Sequence, residues 1–253
     1  MNIVIIGSGN TAAVLGRKFV AAGHRIVQIL SRNASAASQL AYEWDTESAN
    51  YMSLINRDAD VYIVAVSDDA LEEVTRDLHL PGKVVAHTAG SVSKDILRHV
   101  SPHHGVFYPL QSLRKEIQAS PDIPLFYEGS DAKSVSTLQS LAQSVSYGAP
   151  VKANSEDRLA IHVAAVVVNN FTNYLFSLAE QFCRREGIDF KMLMPLIRET
   201  VARLETNSPS SSMTGPAIRH DEETIQKHLA LLETHPELKK VYQCLTDSIM
   251  HRQ

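Results

Sequence analysis

Met1-Asn2-Ile3-Val4-Ile5-Ile6-Gly7-Ser8-Gly9-Asn10-Thr11-Ala12 opens the chain. A short apolar run ends at a glycine. Small and polar residues then lead into an amphipathic stretch, 11–22, whose Val14, Leu15, Phe19 and Val20 share one side. That order reads as strand, tight turn, helix. Gly7, Gly9 and Ala12 also have the spacing G-x-G-x-x-A. In such a turn the first glycine makes the bend, the second lets the backbone approach a pyrophosphate, and the small third residue lets helix and strand pack closely. Unpaired N–H groups at the start of the helix meet the phosphates. Gly7, Ser8, Gly9, Asn10 and Thr11 are therefore expected to cradle a dinucleotide.

Working outward, the first half of the chain alternates apolar runs with amphipathic ones. Strands are expected at 3–6, 25–30, 59–66, 83–87, 105–108 and 125–127, with helices at 11–22, 34–42, 69–77, 93–99 and 134–146. This β-α-β alternation demands a mostly parallel sheet covered on both faces, the doubly wound Rossmann architecture of the α/β class. After about Lys152 the pattern changes. Residues 156–186 show helical periodicity with no strand signal and close on Arg184-Arg185-Glu186-Gly187, basic residues followed by a left-handed stop. Such a helix approaches about 45 Å. Its first half is nearly apolar all round and is expected to be buried on several sides. Asp189 is expected to cap a further helix bent at Pro195, and a last helical hairpin divides near His235-Pro236. The expected domains are 1–152, a Rossmann domain, and 153–253, an all-α domain built on one long interdomain helix.

Composition narrows the function. The 253 residues are 44% hydrophobic and 21% charged, as in ordinary globular chains, so disorder is excluded. A net charge of −4 argues against a general nucleic-acid binder, which needs a basic face. The two cysteines, Cys183 and Cys244, read as reduced thiols of a cytoplasmic protein. The first apolar run is too brief for a secretory core. The longest later one, 160–168, is interrupted by His162 and followed by Asn169-Asn170, so no membrane span is expected.

The end of the second strand discriminates between cofactors. Domains that bind NAD place a carboxylate there for the ribose hydroxyls. This chain has Ser31-Arg32-Asn33 instead. A carboxylate would repel a 2′-phosphate, whereas a guanidinium pairs with it and a hydroxyl donates to it. NADP(H) is thus the expected cofactor, the competing reading being that Arg32 is a solvated surface charge. Two further strand ends, Val66-Ser67-Asp68-Asp69 and His87-Thr88, should face the same crevice, with Val66, Ser67 and Thr88 against the cofactor. Asp68 and Asp69 are read equally as helix caps.

The stretches AVSDDAL (65–71), HTAGS (87–91), GVFYPLQS (105–112), HVAAVVVNNF (162–171) and TGPAIRHD (214–221) resemble a branch of Rossmann-like proteins that ends in the domain of unknown function 2520. That branch is similar to pyrroline-5-carboxylate reductase, ketopantoate reductase and the 3-hydroxyacid dehydrogenases, which join a Rossmann domain to a helical one. The resemblance implies an NADP(H)-dependent oxidoreductase. It also implies a catalytic lysine three residues before the Asn169-Asn170 pair, yet that position is Val166, which cannot move a proton. His162, Val166, Asn169 and Asn173 lie at i, i+4, i+7 and i+11 and share a helix face. His162 is the candidate acid, against the reading of a satisfied core histidine. Asn169 and Asn170 would polarise the reacting group or serve structure alone. Arg219, after the rigid Thr214-Gly215-Pro216 turn, would clamp an anion, while Asp221 is a substrate contact or the N-cap of the next helix.

Other groupings are poorer. His99, His103 and His104 are interrupted by Pro102, so no metal is expected. The expected activity is hydride transfer between NADP(H) and a small, anionic carbonyl or imine compound, or the matching alcohol or amine. The alternative is a non-catalytic NADP(H)-binding sensor. The apolar circumference of the long helix also predicts a homodimer through the helical domain.

Overall fold

The structure, a computed structural model, describes residues 1–117 and 121–251. It divides into two compact units, Met1–Val166 and Val167–Gln253.

In the first unit eight strands form one sheet: β1 (Asn2–Ile6), β2 (Arg25–Leu30), β3 (Glu47–Ala49), β4 (Val61–Val64), β5 (Val84–His87), β6 (His104–Pro109), β7 (Leu125–Gly129) and β8 (Val151–Lys152). Their order across the sheet is β3-β2-β1-β4-β5-β6-β7-β8. Every pairing is parallel except β6 with β7. The chain runs outward in one direction from β1 and outward in the other from β4. The crevice between those two strands is the switch point at which doubly wound sheets bind ligands.

Alternate residues of the central strands face opposite ways, so each strand is apolar on both sides. Ile3, Ile5, Val61 and Ile63 pack with α1 (Asn10–Ala21) and, after α2 (Ala34–Glu43) and α3 (Leu71–Thr75), with α4 (Ala132–Val145). Val4, Ile6, Tyr62 and Val64 pack on the other face with Leu71, Leu97 and Val100. The expected helix at 93–99 is a short 3-10 turn, Lys94–Leu97, opened by Ser93, whose hydroxyl accepts from the Asp95 N–H. Strands β3 and β8, three and two residues long, carry no periodic signal of that length and exist because a neighbouring strand edge pairs with them.

A helix runs from Ser155 to Arg185. It begins as α5 (Ser155–Ala165), passes through a π-helical segment at Val166–Phe171 and continues as α6 (Thr172–Arg185). The unit boundary therefore falls inside this helix and not at the expected 152/153. The reason is Arg158, fully buried near the start of α5. Its Nη1 donates to Glu128 on β7 and to the Ala153 carbonyl at 3.0 Å, and its Nη2 donates to the Val92 carbonyl at 2.9 Å. Lys94 Nζ donates to the other Glu128 oxygen at 2.6 Å. Burial pushes the Glu128 carboxyl up, but the hydrogen bonds from Lys94 and Arg158 outweigh it and hold the pKa below the ordinary value. The first turns of the helix are thereby tied to the sheet.

The second unit is all-α among the described residues. Helix α6 ends on Gly187, which takes φ +70°, and the Ile188 N–H closes on the Cys183 carbonyl at 2.8 Å. Asp189 caps a 3-10 turn, Phe190–Leu193, and Pro195 sits in the first turn of α7 (Met194–Ala202). Pro195 thus starts a helix, where its missing N–H costs nothing, and does not bend one. The hairpin of α8 (Glu222–Leu231) and α9 (Pro236–Met250) follows. It joins α6 through His235, which contacts Glu186 at 2.9 Å and stands edge-on to Phe182 at 4.9 Å.

One expectation is overturned on the long helix. Its apolar circumference is not buried: Leu159, Val163 and Val168 are 50%, 57% and 72% exposed. By length and composition this helix could also cross a membrane, which the shorter run 160–168 did not suggest. It carries Asn169, Asn170 and Asn173, polar groups that hydrocarbon disfavours.

Breaking the buried ion pair tests how the helix is held. Arg158→Ala, by stranding a buried carboxylate, should cost about 3–5 kcal/mol in urea unfolding. Arg158→Ala in an E128Q background should cost clearly less, and equal losses in both backgrounds would refute the anchoring role.

Candidate active site

The switch-point crevice is a cavity of about 670 Å³. All eleven residues expected to touch the cofactor line it: Gly7, Ser8, Gly9, Asn10, Thr11, Ser31, Arg32, Asn33, Val66, Ser67 and Thr88. The two glycines of the turn answer to different demands. Gly7 has φ +122°, and a Cβ there would lie 2.2 Å from the Ala65 carbonyl oxygen, so the crossing of β1 and β4 forbids any side chain. Gly9 has φ −79°, ordinary for any residue, and a Cβ would meet no protein atom within 4 Å. Nothing in the protein requires glycine at position 9. Close approach of a phosphate would.

The first turn of α1 is equally open to an anion. No side chain caps it and no acidic residue lies in it. Its free N–H groups and the positive end of the helix dipole therefore face the cavity uncompensated, and the residues fit a dinucleotide pyrophosphate. Asn10 has a second task, since its Oδ1 accepts from the Lys115 N–H at 3.3 Å.

At the end of β2 the three candidate side chains differ in what they have left to offer. Ser31 Oγ is 2.7 Å from Ser8 Oγ and accepts the Asn33 N–H at 3.2 Å. The Asn33 Oδ1 accepts from the Ala36 N–H and caps α2. Arg32 pairs through Nη1 with Glu73 on α3 at 2.9 Å. Asp68 accepts from Ser91 Oγ at 2.8 Å and lines the cavity. Asp69 is held below the ordinary carboxyl range by the Ser67 hydroxyl and by backbone N–H groups of the same turn, within which it lies. The cap positions there are Ser67 and Ala70, so neither Asp68 nor Asp69 is a helix N-cap.

Next along the sheet, His87 is fully buried at the end of β5. Its Nδ1 accepts the Ala89 N–H and its Nε2 faces the Ser93 carbonyl, each at 3.2 Å, so the proton sits on Nε2. Burial lowers its pKa to about 4, and the neutral ring pins the turn that carries Thr88. A Cβ on Gly90 in this turn would lie 2.8 Å from the ring of Tyr108, at the end of β6. Tyr108 Oη in turn is 3.1 Å from His162 Nδ1 on α5, with the two rings edge-on at 6.2 Å. Burial, with the Asp68 charge adding to it, raises the Tyr108 pKa. Sequence reasoning singled out His162 and missed Tyr108, although Tyr108 lies within the GVFYPLQS stretch.

The remaining candidates belong to the second unit. Asn169 Nδ2 donates to Asn170 Oδ1 at 3.2 Å, and Asn173 Nδ2 donates to Asn169 Oδ1 at 3.2 Å, all in and beside the π-helical segment. Asp221 is the N-cap of α8: its Oδ1 accepts the Thr224 N–H at 3.1 Å. These bonds, the Thr224 hydroxyl foremost, hold its carboxyl below the ordinary range. Arg219 Nη2 stands 4.0 Å from Asp221, with its side chain 62% exposed. His220 between them takes φ +53°, a conformation uncommon outside glycine. His99, His103 and His104 bond separately to the Thr75 carbonyl, Asp131 and the Ser101 carbonyl. Among the described residues no three metal-ligating side chains converge.

Fold and turn together define a chain of the NADP oxidoreductase class. Residues 2–90 match the family of NADP oxidoreductases described as coenzyme F420-dependent. Residues 123–249 match the domain of unknown function DUF2520, and the chain belongs to that family. No curated protein sequence matches it. A crystal structure of a putative NADP oxidoreductase from Bacteroides fragilis is 34% identical, covering 99% of this chain and 98% of the other with a TM-score of 0.88. An imine reductase from Myxococcus stipitatus in complex with NADP+ is 19% identical, with 98% and 93% covered and a TM-score of 0.65. A 1-pyrroline-5-carboxylate reductase from Streptococcus pyogenes is 14% identical, with 99% and 98% covered and a TM-score of 0.64. These two share the fold.

The contrast between the glycines gives a direct test of the cavity. Gly9→Ala should leave stability within about 1 kcal/mol of the parent, since only an N-cap preference changes. NADP+ binding, measured by calorimetry, should weaken at least tenfold. Unchanged binding would mean that the phosphates do not lie against this turn.

Proposed function

We propose that the protein is an NADPH-dependent reductase of a small, anionic imine or carbonyl compound. The observation that carries this reading is the Tyr108–His162 pair, which packs on the same strand-end turn, residues 87–91, that supplies Thr88 to the cavity. The cofactor, NADP(H), supplies the hydride when bound. Reduction of a C=N or C=O bond also needs a proton for the nitrogen or oxygen. His162 is the proton donor in this reading: Tyr108 takes up Nδ1 and orients the ring, leaving Nε2 to face substrate. The preference for NADP(H) rests on Arg32. Asn169 and Asn170 polarise the reacting group, and Arg219 anchors the substrate's anionic group. Asp221 supports Arg219 while capping α8.

Val166, in place of the lysine used by related dehydrogenases, favours a second reading, a sensor that binds NADP(H) without turning it over. NADPH oxidation with a panel of cyclic imines, including 1-pyrroline-5-carboxylate, and 2-oxo acids separates the two. His162→Ala should lower kcat on a panel substrate by about 10²-fold or more, with NADPH affinity unchanged. Unchanged turnover in both His162→Ala and Arg219→Ala would overturn the roles of these two side chains. Tight NADPH binding with no turnover of any compound would favour the sensor.

A second copy of the chain is the proposed cover for the exposed residues of the long helix, Val163, Val167, Val168 and Phe171. Light scattering at micromolar concentration should give twice the chain mass, and a monomer at that concentration would rule this out.

A further inference from the structure

We propose that Glu73 is a specificity-determining residue that sets the preference between NADP(H) and NAD(H) by competing for Arg32. This inference rests on the cofactor reading above and sharpens it. Of the three side chains at the end of β2, two are uncharged and already engaged through their oxygens. Ser31 is engaged by Ser8 and by the Asn33 N–H, and Asn33 caps α2. Charge-based discrimination for a 2′-phosphate therefore falls on one guanidinium, with the Asn33 Nδ2 left as a neutral donor. Among the described residues Arg32 makes one side-chain hydrogen bond, through Nη1 to Glu73, so Nη2 and Nε remain to be offered.

The cavity's own charge works against the phosphate. Arg32 is the one cation on its wall among the described residues, whereas Asp68, Glu73 and Asp77 all line it. Glu73 both neutralises Arg32 and stands where a dianion would have to approach. The 2′-phosphate must displace this carboxylate before Arg32 can bind it in two-point fashion. A ribose hydroxyl has no such conflict, because a carboxylate accepts hydrogen bonds from it. Glu73 thus lowers affinity for the phosphorylated cofactor without lowering it for the other, and it keeps the ratio between them modest.

The size of the effect follows from exposure. The Arg32 and Glu73 side chains are 69% and 61% exposed, so their pairing is screened and easily exchanged. Calorimetric titration of the full chain with NADP+ and with NAD+ is the experiment. Glu73→Gln should tighten NADP+ binding roughly two- to fivefold at low salt, with NAD+ binding unchanged or weaker, and the gain should shrink at high salt. Arg32→Ala should remove most of the preference. In that background Glu73→Gln should no longer shift the ratio of the two affinities. Equal shifts for both dinucleotides in Glu73→Gln, or a change in ratio that persists without Arg32, would overturn the proposal while leaving the cofactor reading intact. If the parent chain binds NAD+ as tightly as NADP+ and Arg32→Ala changes neither, the cofactor reading itself fails.

Discussion

Gly7 lies so close to the carbonyl of Ala65 that no side chain can stand between them. This contact joins the ends of β1 and β4, the two strands from which the chain departs in opposite directions. The crevice, the uncapped start of α1 and the convergence of the β2, β4 and β5 ends all follow from that crossing. The left-handed backbone at Gly7 turns the chain sharply enough for α1 to begin over the gap, and the Ile6–Ala65 hydrogen bond of 2.7 Å seals it. Gly9 lies in the same turn under a looser constraint. No protein atom lies within 4 Å of a Cβ there, so its openness, unlike the tight contact at Gly7, fits a demand made by a ligand.

The second constraint is a buried charge. Arg158 is placed beyond water's reach, where an unpaired guanidinium would be prohibitive. Glu128 and three main-chain or hydroxyl acceptors surround it instead. An aliphatic side chain would stabilise such a spot as well. It would not fix the orientation of α5, and that orientation matters because His162 lies one turn further on and must meet Tyr108. Rigid placement of the helix start and formation of the Tyr108–His162 contact are therefore the same requirement.

Electrostatics in the cavity is less one-sided than its glycine turn suggests. The α1 N-terminus attracts phosphate through backbone dipoles at one end, while carboxylates from α3 and the turn before it line the other. Arg32 stands between these two regimes. Neutral His87, held by burial, adds no positive charge beside the turn it supports. On the proposed reading, the α1 N-terminus receives the pyrophosphate and discrimination of the far end of the cofactor falls to a single exposed cation.

Much of this was legible in the residues alone. The glycine spacing, the alternation of apolar runs and the long helical period are local signals, each carried by residues within a few turns of one another. They were enough for the Rossmann sheet, the cofactor cavity and the helical second unit. The stop at Gly187 and the cap at Asp221 are local too, and both were readable. Tertiary structure alone decided the rest. Arg158 and Glu128 are 30 residues apart, Arg32 and Glu73 are 41 apart, and Tyr108 and His162 are 54 apart. No periodicity links such pairs, because folding, and not spacing, sets which side chains meet. Strands β3 and β8 belong to the same group, for a two- or three-residue strand exists by virtue of the edge beside it. The exposed face of the long helix does as well: sequence shows that it is apolar, but only packing decides whether the chain has anything left to cover it.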